Sequence, residues 1–485
     1  MAGRYPEMEI QKRLSNIRFE NIEKSGPLFI ALIGLILVGA LSVFQPLVLA
    51  LLAFASLYLL LAISRFEWVL LLTIFAFPLV PLYVGFDLKG MVVVNPQRVL
   101  IIGLYIAWAL KKIYRGEKVL LRTPLNFGLA VFLLVRLFGI VFSIDFGVSL
   151  SRYLAQFFTF YLFYFLLIDS ISSKKQIDRV LRTVALSAGA VSFLGILEFV
   201  TKFNFYSYLN PSRATIALTA SQIQSRMGLL RIEGALGHSI VMGMFLALIV
   251  PICLGQFIAA GSKKGKTWLL GGLLISAAAG LTFSRATWIG LGFILIAFAL
   301  RYPRHFLPYV SVIIIGATVT LFGLSRGRDV RTFVERTTES AKKADLPYST
   351  AFRVKQIKTG WPVVLQRPLT GHGIDHAKKV TRLRAIDNYY LTLMLESGIP
   401  SLFAFLFLLS LVFSKLKRVV RTSPDFETRN LAFSIFISLA SFVIILGFVS
   451  LTQVFFIWWV LAAMGMRTVM NESQIGPIMI GQRTA

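Results

Sequence analysis

The sequence predicts an all-α fold, a polytopic transmembrane helical bundle of about 12–14 spans with one long outer loop of short amphipathic helices. Of its 485 residues, 56% are hydrophobic and the mean hydropathy is +0.76, values that soluble chains of this length rarely reach. Apolar runs of about 17–20 residues recur along the chain, long enough to cross about 30 Å of hydrocarbon. A β-barrel would alternate polar and apolar residues, and these runs do not.

Fourteen apolar runs are predicted as spans, with boundaries good to a few residues. The first begins near Pro27 and is not predicted to be a removable signal peptide, because further runs follow at once without a cleavage pattern. No repeat of the first half is visible in the second. The predicted spans are 27–44, 46–63, 67–86, 97–111, 125–143, 153–170, 180–200, 239–258, 267–282, 286–301, 307–324, 388–414, 431–450 and 452–468.

Lysines and arginines set the predicted orientation. The N-terminal segment and four short loops are basic, and with fourteen spans all of them fall on the side of both termini. That side is therefore predicted to be the cytoplasm. The predicted organisation is a cytoplasmic segment 1–26, a single transmembrane domain 27–470 and a cytoplasmic tail 471–485.

Two long loops, 201–238 and 325–386, are predicted on the opposite side. The second has 62 residues, with 14 Lys or Arg against 5 Asp or Glu. This charge breaks no topology rule, because long exported loops do not follow the positive-inside bias. Large apolar residues recur there with helical spacing before a Pro/Gly-rich stretch, which predicts amphipathic helices lying over the outer membrane surface. These residues are Phe352, Ile357, Trp361 and Leu365.

The net charge of +28 predicts anionic partners, membrane lipids first, and no nucleic acid. The single cysteine, Cys253, excludes a disulfide framework and a thiolate metal site. His372 and His376 are four residues apart, but we expect them to be solvated loop residues rather than a ligand pair, so no metal is predicted. No glycine-rich phosphate loop follows a strand, and no cofactor is predicted.

Several arginines are predicted at the outer ends of spans, which suggests a site for a lipid diphosphate because the guanidinium fork suits phosphate. Arg285 lies in a tight outer hairpin between two short spans. Arg136 lies within a span, where a charge costs several kcal/mol unless it is paired. Pairing with Glu198 is the structural alternative for Arg136, and Arg98 and Arg152 could simply be interfacial anchors.

Four motifs then occur in order. "RIEGALGH" (231–238) precedes a span, "FSRATW" (283–288) lies in a short hairpin, "FRVKQIKTGWPVVLQRPLTGHG" (352–373) lies in the long loop, and "DNYYLTLMLESGIP" (387–400) opens a span. In their order and topology they resemble the O-antigen ligase and O-antigen polymerase superfamily of bacterial inner-membrane glycosyltransferases. The resemblance covers about residues 90–465.

The resemblance implies an enzyme that transfers a glycan from undecaprenyl diphosphate to a glycan or lipid-linked acceptor at the periplasmic face of the inner membrane. Arginines at the positions of Arg231 and Arg285 are taken to hold the diphosphate, and we predict that Arg136 joins them. Direct displacement then predicts inversion at the anomeric carbon without a metal ion. Contacts with the acceptor or within the loop are predicted for Arg353, Asn388 and His238.

Asp387 is the predicted catalytic residue, a general base for the acceptor hydroxyl. An Asp-Asn pair before a helix is also a common N-cap, and the two roles are compatible. Ligases of this family usually carry a histidine at this position, so the carboxylate slightly favours a polymerase of surface polysaccharide over a ligase to lipid A-core. Glu396, deeper in the helix, is expected to pair with a buried arginine.

The main alternative is a polysaccharide-lipid flippase or exporter, which many spans and internal cations would also suit. A flippase predicts two pseudo-repeated halves, whereas this chain shows no repeat and its charged site is biased outward. A peptidoglycan-polymerising enzyme of the rod-shape and division type is a third alternative. "SRATW" is close to its motif, but the Trp-Glu pair expected before Ser-Arg is absent.

Overall fold

The structure, a computed structural model, describes residues 46–81, 86–88, 92–94, 96–117, 122–206, 225–226, 229–304, 348–450 and 452–483. Helices dominate these residues, with two short two-stranded hairpins, and the predicted all-α fold is confirmed. The predicted spans 27–44 and 307–324 and the first part of the long loop lie outside the described residues. Contacts divide the chain into two compact units, 1–77 with 94–120, and 78–93 with 121–485.

The first unit contains α1 (Pro46–Ser64), α2 (Phe66–Ala76) and α3 (Pro96–Arg115). Helix α2 ends ten residues before the predicted end of its span at residue 86, and β1 (Phe86–Leu88) pairs with β2 (Val92–Val94) in the connection to α3. The Tyr58 hydroxyl lies 2.8 Å from Thr73 Oγ1 and 2.9 Å from Leu100 O, so one buried polar group joins the three helices.

The second unit is a helical bundle that carries all the motifs named above. Its helices are α4 (Asn126–Val141), α5 (Phe146–Gln156), α6 (Leu162–Ser170), α7 (Lys174–Thr201), α8 (Ser239–Ala259), α9 (Gly261–Leu281), α10 (Arg285–Arg301), α11 (Tyr348–Gln366), α12 (Ala377–Thr381), α13 (Tyr389–Ser397), α14 (Ile399–Thr422), α15 (Phe426–Leu446) and α16 (Phe455–Arg483). A π-helix (Phe157–Tyr161) joins α5 to α6. The short strands β3 (Ser225–Arg226) and β4 (Leu229–Leu230) pair in antiparallel register.

Five helical stretches among the described residues are long and apolar enough to cross a membrane. Four further helical segments of 10–17 residues are apolar but shorter. These findings support a polytopic membrane protein. The five long stretches are Phe146–Ser170, Lys174–Thr201, Ser239–Ala259, Ile399–Thr422 and Phe426–Leu446.

Helix α8 lies at the centre of the second unit and runs antiparallel to α15. Near the end of α8, the Asn430 side-chain amide donates to Gly255 O at 2.6 Å, and about two turns further along α15 the Ser438 hydroxyl donates to Leu248 O. Small and polar side chains of this kind let helix backbones approach closely within a membrane and satisfy one another.

The two ends of the bundle can be told apart by their contacts. At one end, Lys174 Nζ lies 2.9 Å from Asp425 Oδ2 and 2.8 Å from Glu427 Oε2, so the basic loops before α7 and after α14 share that end, as the alternation of basic loops predicts. At the other end, α10 begins beside the start of α8 and the end of α15. A Cβ on Gly290 would lie 2.6 Å from Ile445 Cδ1, and one on Gly243 would clash with Thr287 Oγ1.

The predicted span 388–414 is not one helix. It breaks at Gly398, which has φ +76° and separates α13 from α14. A Cβ at this position would lie 2.5 Å from Leu369 C, so only glycine allows the loop after α11 to pack there. Helix α14 resumes immediately with Pro400 in its first turn, a position that suits proline.

Candidate functional site

Arg231 contacts the hairpin between α9 and α10, and Arg285 lies at the end of the same hairpin. Arg231 Nε donates to Thr282 O at 3.0 Å, and Ile232 N–H donates to Leu281 O at 3.4 Å. The Ser284 hydroxyl caps α10 by accepting from Thr287 N–H, which makes Arg285 the first residue of that helix. The structure therefore brings together the two arginines that the sequence assigns to one ligand.

The turn that follows Arg231 is held by Glu198, a buried carboxylate near the end of α7. Glu198 Oε2 accepts from Gly234 N–H at 2.8 Å, and both carboxylate oxygens lie 3.3 Å from Glu233 N. The suggested pairing of Glu198 with Arg136 is therefore wrong, because backbone N–H groups hold this carboxylate. His238 caps α8, its Nδ1 accepting from Ile240 N–H at 3.2 Å.

Arg136 is 2% exposed and its partner is Glu396. Arg136 Nη2 lies 3.4 Å from Glu396 Oε2, and Arg136 Nη1 donates to Gln156 Oε1 at 2.7 Å. The Tyr161 side chain also lies beside this guanidinium. Gln156 precedes the π-helix and Tyr161 is its last residue. Because π-helical hydrogen bonds join residues five apart, these two side chains approach the same face. The expectation that Glu396 pairs with a buried arginine is confirmed.

The Pro/Gly-rich loop after α11 folds back onto the end of α13. Asp375 N–H donates to Glu396 Oε1 at 3.0 Å, and Gly373 N–H donates to Glu396 O at 2.9 Å. Gly371 has φ +67°, and a Cβ there would lie 2.5 Å from Glu396 C. Arg152, one of the suggested interfacial anchors, pairs with Asp375 at 3.0 Å. Glu396 thus ties both Arg136 and this loop to α13.

His372 and His376 are buried in this loop rather than solvated, which corrects the sequence-based expectation. The Nδ1 of His376 lies 3.0 Å from Ile374 O, and that of His372 lies 3.3 Å from Leu395 O. Burial lowers the pKa of the His372 imidazole. Within the described ranges no group of three or more His, Cys, Asp or Glu is placed to hold a metal ion.

Asn388, not Asp387, caps α13. Asn388 has extended backbone angles, and its Oδ1 accepts from Leu391 N–H at 3.0 Å. The alternative that Asp387 is the N-cap is therefore wrong, and its carboxylate has no role in capping. The backbone N–H of Asp387 donates to Gln356 Oε1 at 2.9 Å.

The Asp387 carboxyl is half-buried beside Arg353. Burial raises the pKa of this carboxyl above its usual value, and the Arg353 charge, hydrogen bonding from Gln356 and the Lys378 charge offset part of the rise. Arg353 donates to Phe448 O at 3.4 Å, and its guanidinium carbon lies 5.5 Å from the centre of the Phe448 ring. A half-buried carboxyl with a raised pKa and a cationic neighbour is a candidate for proton transfer.

Both groups of residues lie at the same end of the bundle. Phe448, which contacts Arg353, follows the end of α15, and that end packs against the first turns of α10, where Arg285 lies. This end therefore gathers Arg231, Arg285, Arg353 and Asp387 where several apolar helices begin or end.

Helix α11 confirms the predicted amphipathic helix, and its apolar stripe faces outward. Ile357, Trp361 and Leu365 are 54%, 45% and 55% exposed, whereas Gln356 and Val364 on the adjacent inner face are 1% and 0% exposed. The sequence does not indicate Gln356 as a functional residue, because a single polar residue in a helix gives no signal of its partner. Nor does it indicate Gln156 and Tyr161, because the π-helix between them is not visible in the apolar pattern.

The fold and this end of the bundle define a multi-helix membrane protein that gathers guanidinium groups and one half-buried carboxyl where its helices end. Residues 270–406 match the family model described as O-antigen ligase. This match confirms the predicted resemblance to the O-antigen ligase and O-antigen polymerase superfamily over the matched residues. It includes Arg285, Arg353 and Asp387 but not Arg136 or Arg231. No curated protein matches the chain.

Proposed function

We propose that this protein is a membrane glycosyltransferase that moves a glycan from undecaprenyl diphosphate to a sugar hydroxyl at the periplasmic face of the bacterial inner membrane. One observation supports this above all. Asp387 is a half-buried carboxyl beside Arg353 that takes no part in capping its helix. A carboxyl in that setting is suited to accept a proton from an acceptor hydroxyl.

Arg231 and Arg285 would hold the diphosphate of the donor. They are both half-buried, they flank the turn 282–284, and a planar guanidinium can bind phosphate oxygens in pairs. Arg285 also opens α10, where the helix N-terminus favours a negative charge. Arg136 is less suited to this contact, since Glu396 and Gln156 already engage its guanidinium; its predicted contact with the diphosphate stays a prediction.

The reaction would be a direct displacement at the anomeric carbon. The acceptor oxygen forms the new bond to that carbon, its proton passes to the Asp387 carboxylate, and the bond from the carbon to the diphosphate oxygen breaks. Undecaprenyl diphosphate leaves with the bonding electrons, and the arginines stabilise its developing charge. Attack opposite the leaving group inverts the anomeric centre. General-base help of this kind contributes about 10²–10⁴-fold, and the guanidinium groups take the role of a divalent cation.

A polymerase is slightly favoured over a ligase. The resemblance implies a histidine in ligases at the position of Asp387, and this chain has a carboxylate there. His238 and Asn388, predicted to contact the acceptor, cap helices α8 and α13 respectively. Both therefore lie at the end of the bundle that carries the other candidate site residues. This position is compatible with a glycan acceptor and with a lipid-linked acceptor.

Deletion of the gene and analysis of the surface glycan and of lipid-linked glycans test the proposal. Loss of long chains with retention of single units indicates a polymerase, and accumulation of unattached long chains indicates a ligase. Purified full-length protein should then release undecaprenyl diphosphate from the lipid-linked glycan extracted from the deletion strain, with or without EDTA. Accumulation of the donor on the cytoplasmic leaflet, with no turnover in vitro, would favour a flippase instead.

A further inference from the structure

The segment that carries Asp387 is held by side chains from two other elements. Gln356 Nε2 on α11 donates to Ala385 O at 3.1 Å, and Gln356 Oε1 accepts from Asp387 N–H at 2.9 Å. Between these two bonds, the Ser450 hydroxyl donates to Ile386 O. A backbone group on each of three consecutive residues is therefore hydrogen-bonded immediately before Asn388, the N-cap of α13.

Gln356 is 1% exposed, and the two ends of its amide bond the residues on either side of Ile386. Burying an amide is unfavourable unless both ends are satisfied, and here both partners belong to the segment 385–387. Asparagine is one methylene shorter and cannot span the same two backbone groups from α11. The arrangement fixes the backbone of Asp387 while its carboxyl stays half-exposed.

We infer that Gln356 is a positioning residue: with Ser450, its amide fixes the backbone at Asp387 so that the carboxylate meets the acceptor hydroxyl in one orientation. This inference rests on the proposed function, in which Asp387 is the base. A displacement of about 1 Å at a reacting group can cost about 10²-fold in rate. The charged groups that face Asp387 are Arg353 on α11 and Lys378 on α12.

Two substitutions at Gln356 test this role in the full-length protein, with the lipid-linked glycan extracted from the deletion strain as donor. Gln356→Leu should lower kcat by about 10–100-fold and leave the donor KM within about twofold, because the diphosphate site is intact. Gln356→Glu keeps an acceptor for Asp387 N–H but adds a negative charge. It should move the acid limb of the kcat/KM profile to higher pH, since a like charge raises a carboxyl pKa.

Gln97→Glu is the matched control, because Gln97 is also buried and its Nε2 donates to a loop carbonyl, Phe77 O at 2.6 Å, within the first unit. It should leave the acid limb unchanged. If Gln356→Leu turns over like wild type and Gln356→Glu has an unshifted profile while Asp387→Asn is inactive, the positioning role is refuted and the proposed function stands. A fully active Asp387→Asn protein would refute both the positioning role of Gln356 and the role of Asp387 as the base.

If neither Gln356 variant folds, Ser450→Ala tests the same role, because Ser450 holds the segment 385–387 independently of Gln356. It removes only the bond to Ile386 O. A fall in kcat of several-fold at constant donor KM supports the inference, and an unchanged kcat with an unchanged pH profile overturns it.

Discussion

Arg136 and Glu396 form a buried ion pair between residues 260 positions apart in sequence, with Nη2 3.4 Å from Oε2 and side chains 2% and 12% exposed. The same carboxylate accepts from Asp375 N–H in the loop after α11. The pair therefore joins α4, α13 and the loop that leads to the candidate site, and loss of either charge leaves the other buried without its countercharge.

Breaking this pair should destabilise the protein strongly. Glu396→Ala leaves a buried guanidinium without its countercharge, which typically costs about 3–5 kcal/mol. The double variant Arg136→Met with Glu396→Met should be more stable than either single alanine variant, because no charge is left buried. Thermal unfolding of the purified protein in detergent measures both effects.

Arg152→Gln is the control for this experiment, since the pair Arg152–Asp375 is about half-exposed. Its loss should cost less than about 1 kcal/mol. A Glu396→Ala protein as stable as Arg152→Gln would show that the buried pair contributes little.

Only part of this pair is predictable from the sequence. A lone carboxylate deep in an apolar run must find a cation, so the sequence indicates that Glu396 pairs with a buried arginine. It does not indicate which carboxylate pairs with Arg136, because Glu198 also lies in an apolar run. In the structure Glu198 instead accepts a hydrogen bond from Gly234 N–H. Such choices depend on tertiary contacts that hydropathy does not contain.

The fold, like the ion pair, is predictable from the sequence only in part. Apolar runs predict where the long helices of the second unit lie, because crossing hydrocarbon requires length and composition. Three of these helices, α4, α8 and α10, agree with the predicted spans to within two residues at both ends. The break at Gly398 was missed, since the apolar run continues through it and the reason for the break is the packing of Leu369 from a distant loop. The role of Asn388 as N-cap was open in the sequence, because either member of an Asp-Asn pair can cap a helix.

The topology is tested by two cysteine substitutions at exposed positions, in a chain whose native Cys253 is buried. Lys358→Cys on α11 should react with a membrane-impermeant thiol reagent in intact spheroplasts. Thr422→Cys, at the end of α14, should react only after permeabilisation. The reverse pattern would invert the orientation and move the candidate site to the cytoplasmic face.

The two hairpin arginines should not tolerate lysine. Arg231→Lys and Arg285→Lys keep the charge but lose the planar fork, so each should lose most transfer activity at normal expression. Arg301→Lys is the matched control, because Arg301 lies at the opposite end of the same helix α10 and is exposed. Release of undecaprenyl diphosphate from the extracted donor measures the effect. Turnover near wild type in both hairpin variants would remove these residues from the site.

The pH dependence should report the environment of Asp387. A base works only when deprotonated, and burial raises the pKa of this carboxyl, so the acid limb of kcat/KM should lie above the usual aspartate value of about 3.9. Arg353→Gln removes the largest effect that opposes burial, the nearby positive charge, and should move this limb to higher pH. Lys378→Gln should move it in the same direction by less. If the acid limb of kcat/KM does not move in Arg353→Gln, the group that titrates there is not Asp387.

The capping geometry makes Asp387→Asn a clean test of the base. Asn388 holds the first turn of α13, so Asp387→Asn should leave the fold intact. The donor should still copurify with the variant, because Arg231 and Arg285 are unchanged, while transfer should be abolished. Asn388→Ala gives the opposite signature, with a loss of about 1 kcal/mol of stability through the missing cap. A fully active Asp387→Asn protein would leave the carboxylate without a catalytic role.

Replacement of Asp387 by histidine and by glutamate then asks which base this site accepts. If a histidine can do the same work here, Asp387→His should keep partial activity with an acid limb shifted toward the imidazole pKa of about 6.5. The half-buried setting that raises a carboxyl pKa disfavours imidazolium, so the limb should fall at or below that value. Asp387→Glu keeps the carboxylate but moves it by one methylene, and its activity measures how tightly the segment held by Gln356 fixes the base. An inactive histidine variant beside an active glutamate variant means that a carboxylate is required, and the analogy with the histidine-bearing ligases then fails at this residue.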